Sequence, residues 1–187
     1  MKKIICSLIL YLSFFTVFSK AAFEAGIGSG YIFYGDEKIE KVLDSFNQKS
    51  QIIFCADFSM KIPLAPIVYL DFGFDSIFDG RWKGGSHIYL WDYCTFAGFD
   101  IYPGLAGLYA SVQYCFGRRT DFISLQDTED KISNTNWGNG FAFGLAYDFG
   151  FEKSEGYSPE VGLSIRHMPR GGSSDNIFEV KLKLKHQ

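Results

Sequence analysis

The feature that most constrains this chain is a period of two. From residue 140 to 151 it reads GFAFGLAYDFGF, with Phe141, Phe143, Leu145, Tyr147, Phe149 and Phe151 on one parity and Ala142, Gly144, Ala146, Asp148 and Gly150 on the other. Successive side chains of an extended strand point to opposite faces, so this stretch is a strand with one ringed face and one small, polar face. The open question is which solvent each face meets.

The pattern recurs along the chain. In QIIFCADFSMK, Ile52, Phe54, Phe58 and Met60 oppose Cys55, Asp57, Ser59 and Lys61. In IVYLDFGFD, Leu70, Phe72 and Phe74 oppose Asp71, Gly73 and Asp75. HIYLWDYCTFAGFDIY sets Tyr89, Trp91, Tyr93 and Phe99 against Asp92, Cys94, Gly98 and Asp100. LYASVQYCFG sets Val112, Tyr114 and Phe116 against Ser111, Gln113 and Cys115. Further on, Leu163 and Ile165 oppose Ser164 and Arg166, and Phe178, Val180, Leu182 and Leu184 oppose Glu179, Lys181, Lys183 and Lys185. The segment FEAGIGSGYIFY is richer in glycine but keeps Ile27, Tyr31 and Phe33 in step. This predicts about eight strands, an even number that suits a closed barrel.

The N-terminus has its own logic. Lys2 and Lys3 precede an apolar run over 4–18, and Ser19-Lys20-Ala21 supplies small residues at a cleavage site. Residues 1–21 are therefore expected to be a cleavable signal peptide and 22–187 one barrel domain. Losing Lys2, Lys3 and Lys20 takes the formal net charge from −3 to −6. Such a balance excludes a basic stripe for nucleic acid. With no later apolar run of helical spanning length, a membrane form has to be a closed barrel.

Counting decides the faces. The apolar parities hold roughly thirty large side chains, too many for an eight-stranded interior, which side chains alone just fill. Rings are expected outward against lipid, with Trp91, Tyr93, Tyr114, Trp137 and Tyr147 as interfacial aromatics. The links also sort by length. Those at 35–50, FDGRWKGGS and 118–136 are long, IPLAP and Pro103-Gly104 are tight, and the last two are intermediate. Long loops at one end and short turns at the other are an outer-membrane pattern.

These strands and links resemble the small outer-membrane barrels of the OmpA/OmpX/OmpW type, and the aromatic, glycine-rich style is also similar to barrel proteins of spirochaetes. The resemblance covers the whole mature chain and implies an all-β, eight-stranded antiparallel up-and-down transmembrane barrel in a bacterial outer membrane. One departure is the ending KLKLKHQ, which lacks the terminal aromatic usual in such barrels.

The inward parity carries Asp57, Asp71, Asp75, Asp92, Asp100, Asp148 and Glu179 with Lys61, Arg166, Lys181, Lys183 and Lys185. Two readings compete: an ion-selective lining, or a paired network that plugs a narrow barrel. The strand number favours the plug. Counting out from Pro103-Gly104 sets Cys94 and Cys115 nearly opposite, leaving a cross-strand disulfide and two inert thiols as alternatives. Arg81, Trp82 and Lys83 sit in the second long link as a headgroup or interface anchor. In the first, Ile39, Val42, Leu43 and Phe46 have helical spacing after Asp36, a lid or a docking helix.

No catalytic set stands out: Ser164 and His167 have opposite parity, and no carboxylate is placed to orient His87 beside Ser86. Neither cofactor nor metal is expected. The expected role is structural or interactive, in a monomer among membrane lipids whose loops meet host or surface proteins. Alternatives are a narrow conduit for small hydrophobic solutes, with a lateral gap beside the glycine-rich first strand, and a soluble lipocalin-like binder.

Overall fold

Alternating chains leave every second backbone group pointing sideways, and these groups must find partners. In the computed structural model, which describes residues 21–46, 50–126, 128–151 and 156–186, they find them by closing a ring. The elements are β1 (Ala22–Phe33), α1 (Glu37–Asp44), β2 (Ser50–Ala65), β3 (Val68–Lys83), β4 (Ser86–Ile101), β5 (Leu108–Ser124), β6 (Lys131–Asn134), β7 (Gly138–Asp148), β8 (Tyr157–Pro169) and β9 (Ser174–His186). All pairings are antiparallel, and β4–β5 together with β1–β9 close the sheet. Eight strands are staves; β6 is a four-residue strand laid against the upper end of β5. Of the expected signal segment over 1–21, residues 1–20 lie outside the described residues.

Register fixes the shape of the ring. One line of paired residues runs Ala22, Lys61, Asp71, Gly98, Gln113, Ala142, Arg166, Ile177 and returns to β1 at Ile32, ten residues above its start. Ten residues of stagger over eight strands tilt the staves by about 40° and set the backbone about 8 Å from the axis.

The faces are inverted relative to a water-soluble protein. Phe143, Leu163 and Leu182 stand 59%, 49% and 66% exposed, whereas Lys61, Asp92, Arg166 and Glu179 are buried. Rings face outward and charges inward, because the enclosed space cannot take the rings.

Two link expectations need correcting. FDGRWKGGS is not a loop: β3 and β4 pair up to Lys83 and Ser86, and only Gly84-Gly85 turn the chain, Gly84 at φ +60°. A tight hairpin needs that positive φ, which glycine meets without a Cβ penalty. Residues 118–124, read as the start of a long link, continue β5. As a result β2–β5 have 16–17 residues and β7–β9 11–13, so the barrel extends upward on one side. The two sides of the glycine-rich strand differ from each other. β1 is laddered to β9 from Phe23 to Phe33, and its pairing to β2 stops at Gly28–Cys55.

Leu182→Arg tests the outward face directly. In vesicle-refolded protein it should cost about 2–4 kcal/mol, seen as a lower urea midpoint. A change below about 0.5 kcal/mol would return that face to water.

Candidate functional site

A lumen whose backbone wall lies only about 8 Å from the axis has no room for hydrated ions on every stave, so its charges must neutralise one another. They do so in tiers. In the lowest, Lys61 Nζ lies 2.6 Å from Glu24, 2.9 Å from Asp100 and 3.6 Å from Glu160. It also donates to Tyr109 Oη at 3.0 Å, and that hydroxyl donates to Glu160 at 2.6 Å. Lys183 bonds Glu24 at 2.6 Å, while Lys185 bridges Asp148 and Glu160. Lys61 and its three acids come from four different staves, because the ten-residue stagger brings distant sequence positions to one level.

In the middle tier Lys181 lies 2.7 Å from Asp75, 3.0 Å from Asp57 and 3.2 Å from Glu179. Arg166 reaches Asp92 at 3.4 Å and Asp75 at 3.5 Å, and donates to Cys94 Sγ at 2.5 Å. Above it, Arg170 and Arg119 share Asp175 at 2.6 and 2.5 Å, with Arg170 also on Asp92 and Arg119 on Asp121. Asp79 takes Arg81, Gln51 and Tyr34, each near 3.0 Å. Burial and the Asp79 carboxylate hold the Tyr34 phenol well above its ordinary range, so it stays a donor.

Over this column sits α1. Asp36 caps it, accepting from the Lys38 amide at 2.9 Å, and its apolar side buries Ile39 and Leu43. With Phe46 they pack on Ile88 and Leu90, inward residues of the upward extension, with Ile123 and Leu125 alongside. Lys83 ties the end of the helix down by donating to the Ser45 carbonyl. The helix closes the upper mouth as a lid. A cavity of about 40 Å³ lies in the lumen. It has room for a few waters. It opens where the inner faces of β7 and β8 carry only Ala142, Gly144, Gly162 and Ser164.

No protein-family model and no curated protein matches the sequence. Among solved structures, Ail, the attachment invasion locus protein of Yersinia pestis, aligns with a TM-score of 0.61 over 88% of this chain and 97% of its own, at 6% identity. Neisserial surface protein A aligns at 0.54 over 89% and 96%, at 9% identity. The fold is that of the small outer-membrane β-barrels. At these identities the likeness speaks for the fold alone, and it has no bearing on a spirochaete relationship.

As a small barrel of this class, the protein leaves no place for a lipocalin-like ligand, since its lumen is charged and nearly filled. The structure places Asp57, Asp71, Asp75, Asp92, Asp100, Asp148, Glu179, Lys61, Arg166, Lys181, Lys183 and Lys185 inside the barrel. All of them take part in the tiers except Asp71, whose carboxylate meets no cation among the described residues. It accepts from Gln113 Nε2 at 3.0 Å beside the cavity.

Arg81, Trp82 and Lys83, expected in a long link, lie at the end of β3. Arg81 is held by Asp79 and Lys83 by Ser45, while Trp82 Nε1 donates to Tyr89 Oη at 3.1 Å. Cys94 and Cys115 are free, buried thiols. They are two residues out of register, Cys94 facing Gly117 and Cys115 facing Phe96, because the β4–β5 turn spans 102–107 rather than centring on Pro103-Gly104.

Sequence reasoning left out Glu24, Asp79, Arg119, Asp121, Glu160, Arg170 and Asp175. Parity would have found most of them. Glu160 is in step with Arg166, Asp79 with Asp75, and Arg119 and Asp121 with Cys115 once β5 is drawn to its full length.

Lys61→Met leaves the buried Asp100 without a cation and takes one of two cations from Glu24 and Glu160, and should cost about 3–5 kcal/mol in lipid-refolded protein. Lys41→Met, which breaks an exposed pair with Glu37, should leave the unfolding midpoint unchanged. Equal effects would mean that the lumen is solvated. Alkylation of unfolded, unreduced protein should label both Cys94 and Cys115; a mass lacking both adducts would require a disulfide.

Proposed function

We propose that the protein is an integral, non-enzymatic barrel of the bacterial outer membrane that acts through its exposed end. It serves as a scaffold for surface contacts rather than as a pore. The observation that carries this reading is the double closure of the lumen. Ion pairs join non-adjacent staves at every tier (Lys61–Asp100, Lys181–Asp75, Arg170–Asp92), and α1 packs over the mouth through Ile39, Leu43 and Phe46. An open aqueous path belongs to barrels of about sixteen strands. What remains accessible is the raised edge of β2–β5 with β6 and the lid. As proposed, the protein acts as a monomer, in keeping with a sheet that needs no second chain to close.

Ail has been solved with the heparin analogue sucrose octasulfate. Here the lid carries Glu37, Glu40 and Asp44 against Lys38 and Lys41, and the chain is acidic. This balance favours a neutral or basic protein partner over a sulfated glycan.

One observation favours the conduit as a second reading. Above Gly28 and Cys55 the β1–β2 ladder ends, and the inner face behind it is apolar, formed by Ile32, Cys55, Ile77 and Ile177. A small hydrophobic solute leaving sideways would pass there, not at the β1–β9 seam.

Purified protein in planar bilayers should show no stable nanosiemens openings, and membrane-fraction protein should migrate heat-modifiably on gels. External protease on intact cells should cut within residues 126–137. Steady channel openings would overturn the scaffold reading. Uptake of a hydrophobic dye that is abolished by cross-linking β1 to β2 would replace it with the conduit.

A further inference from the structure

The outer face of the barrel carries one feature that neither the lumen nor the lid explains. Among the described residues of the eight staves, Arg118 is the one outward-pointing arginine or lysine. Its Nε donates to Tyr93 Oη at 2.5 Å, and its guanidinium lies 5.2 Å from the Trp137 ring and 5.9 Å from the Tyr93 ring. Trp137 in turn stacks on Phe116 at 4.9 Å. The aromatic clamp fixes the plane of the guanidinium, yet neither Nη atom meets an acceptor among the described residues. Two parallel donors held in one plane match two oxygens of a phosphate.

The level of Arg118 can be read from the belt. On β8 and β9 the outward apolar run stops at His167 and Asn176, which hydrogen-bond each other at 2.7 Å. A stagger of ten residues in eight strands means about one residue of climb per strand. The same level therefore meets β5 at Phe116 and β4 at Tyr93. Arg118 stands at the upper rim of the apolar belt, where headgroup phosphates lie.

Directly above it the strip continues without an outward acid. Tyr93 pairs with Arg118, Trp91 with Thr120, Tyr89 with Phe122 and His87 with Ser124. Tyr89 and Phe122 stack at 5.9 Å and 16°, His87 lies over Phe122 at 5.5 Å, and Trp82 meets Tyr89 edge-on at 5.7 Å. This wall rises past the hydrocarbon on the one-sided extension of the sheet. Flat rings bordered by a hydroxyl and ring nitrogens suit the apolar faces and hydroxyls of pyranose sugars. Directly below the rim, Phe116 and Phe74 present the surface that acyl chains cover.

We infer that the outer face of β4–β5 is a binding site for a phosphorylated glycolipid of the outer leaflet, with its phosphate on Arg118, its saccharide against Tyr89 and Phe122, and its acyl chains over Phe116. A free phosphate would use only the rim, and a two-chain phospholipid only the rim and belt. The glycolipid alone engages all three levels. The inference rests on the membrane placement proposed above.

The test uses full-length mature protein in mixed micelles, with native mass spectrometry counting bound lipid. The probes are bisphosphorylated lipid A carrying core sugars, its dephosphorylated form, phosphatidylglycerol and inorganic phosphate. Wild type should retain the phosphorylated glycolipid about tenfold better than either the dephosphorylated form or phosphatidylglycerol, given a charge-assisted bidentate contact. Arg118→Gln should abolish that preference, and Arg118→Lys, which keeps the charge but not the fork, should recover only part of it. Phe122→Ala should lower glycolipid retention and leave phosphatidylglycerol unchanged. Each variant is first shown to keep the heat-modifiable gel shift. Equal retention by folded Arg118→Gln and wild type would overturn the site. Retention of phosphatidylglycerol equal to that of the glycolipid, or competition by millimolar phosphate, would overturn its assignment to a glycolipid. Absence of the gel shift in wild type would instead overturn the membrane barrel itself.

Discussion

Closure of the hydrogen-bond ladder governs everything else in this molecule. A sheet that meets lipid cannot leave an edge, because no water is present to satisfy exposed amides and carbonyls. The chain meets that demand by pairing β1 to β9 over eleven residues and returning its register ten residues out of step. Eight strands and that stagger leave one interior size. The interior size then decides which side chains go where: Gly, Ala, Ser and charged groups fill most of the inside, and most of the Phe, Leu and Tyr stand outside. The inversion of the usual rule is a packing result before it is a solvent result.

The interior charges follow from the same geometry. A buried ion is too costly to stand alone, and Lys61, Lys181 and Arg166 are matched by carboxylates that come largely from other staves. Lys61, Lys181 and Arg166 each touch three acids. Cross-links of this kind tie together strands that share no backbone bonds, so the lumen is a rigid strut. That rigidity suits a platform and works against a path for ions. Asp71 marks the boundary of the network, where small inner faces on β7 and β8 leave the little space that remains.

The barrel is lopsided, and its outer end takes its character from that. Because β2–β5 outrun their neighbours, the upper halves of β4 and β5 have an inner face that no opposite wall covers. Ile88 and Leu90 stand on it, and α1 fills the vacancy. The outer face of the same extension carries the aromatic wall above Arg118. One asymmetry of strand length therefore produces both the lid and the strip beneath which the lipid headgroups lie.

Period-two alternation is a local property, and it carried the strand count, the face of nearly every side chain and the inward position of the charged set. Asp57 and Lys181 could be assigned inward from their nearest neighbours alone, since parity needs no partner. Pairing sums could not. Whether 80–83 bend or continue depends on β4 offering a ladder to Lys83, and whether Cys94 faces Cys115 depends on two residues of turn length. Arg119, Asp121 and Asp79 were hidden for the same reason, as polar ends of strands that local reading stops too early. The tiers of ion pairs, the lid's seat and the level of Arg118 are set by stagger accumulated around a closed ring. A sum over eight strands exists in no single stretch of the chain, and only the tertiary structure could decide it.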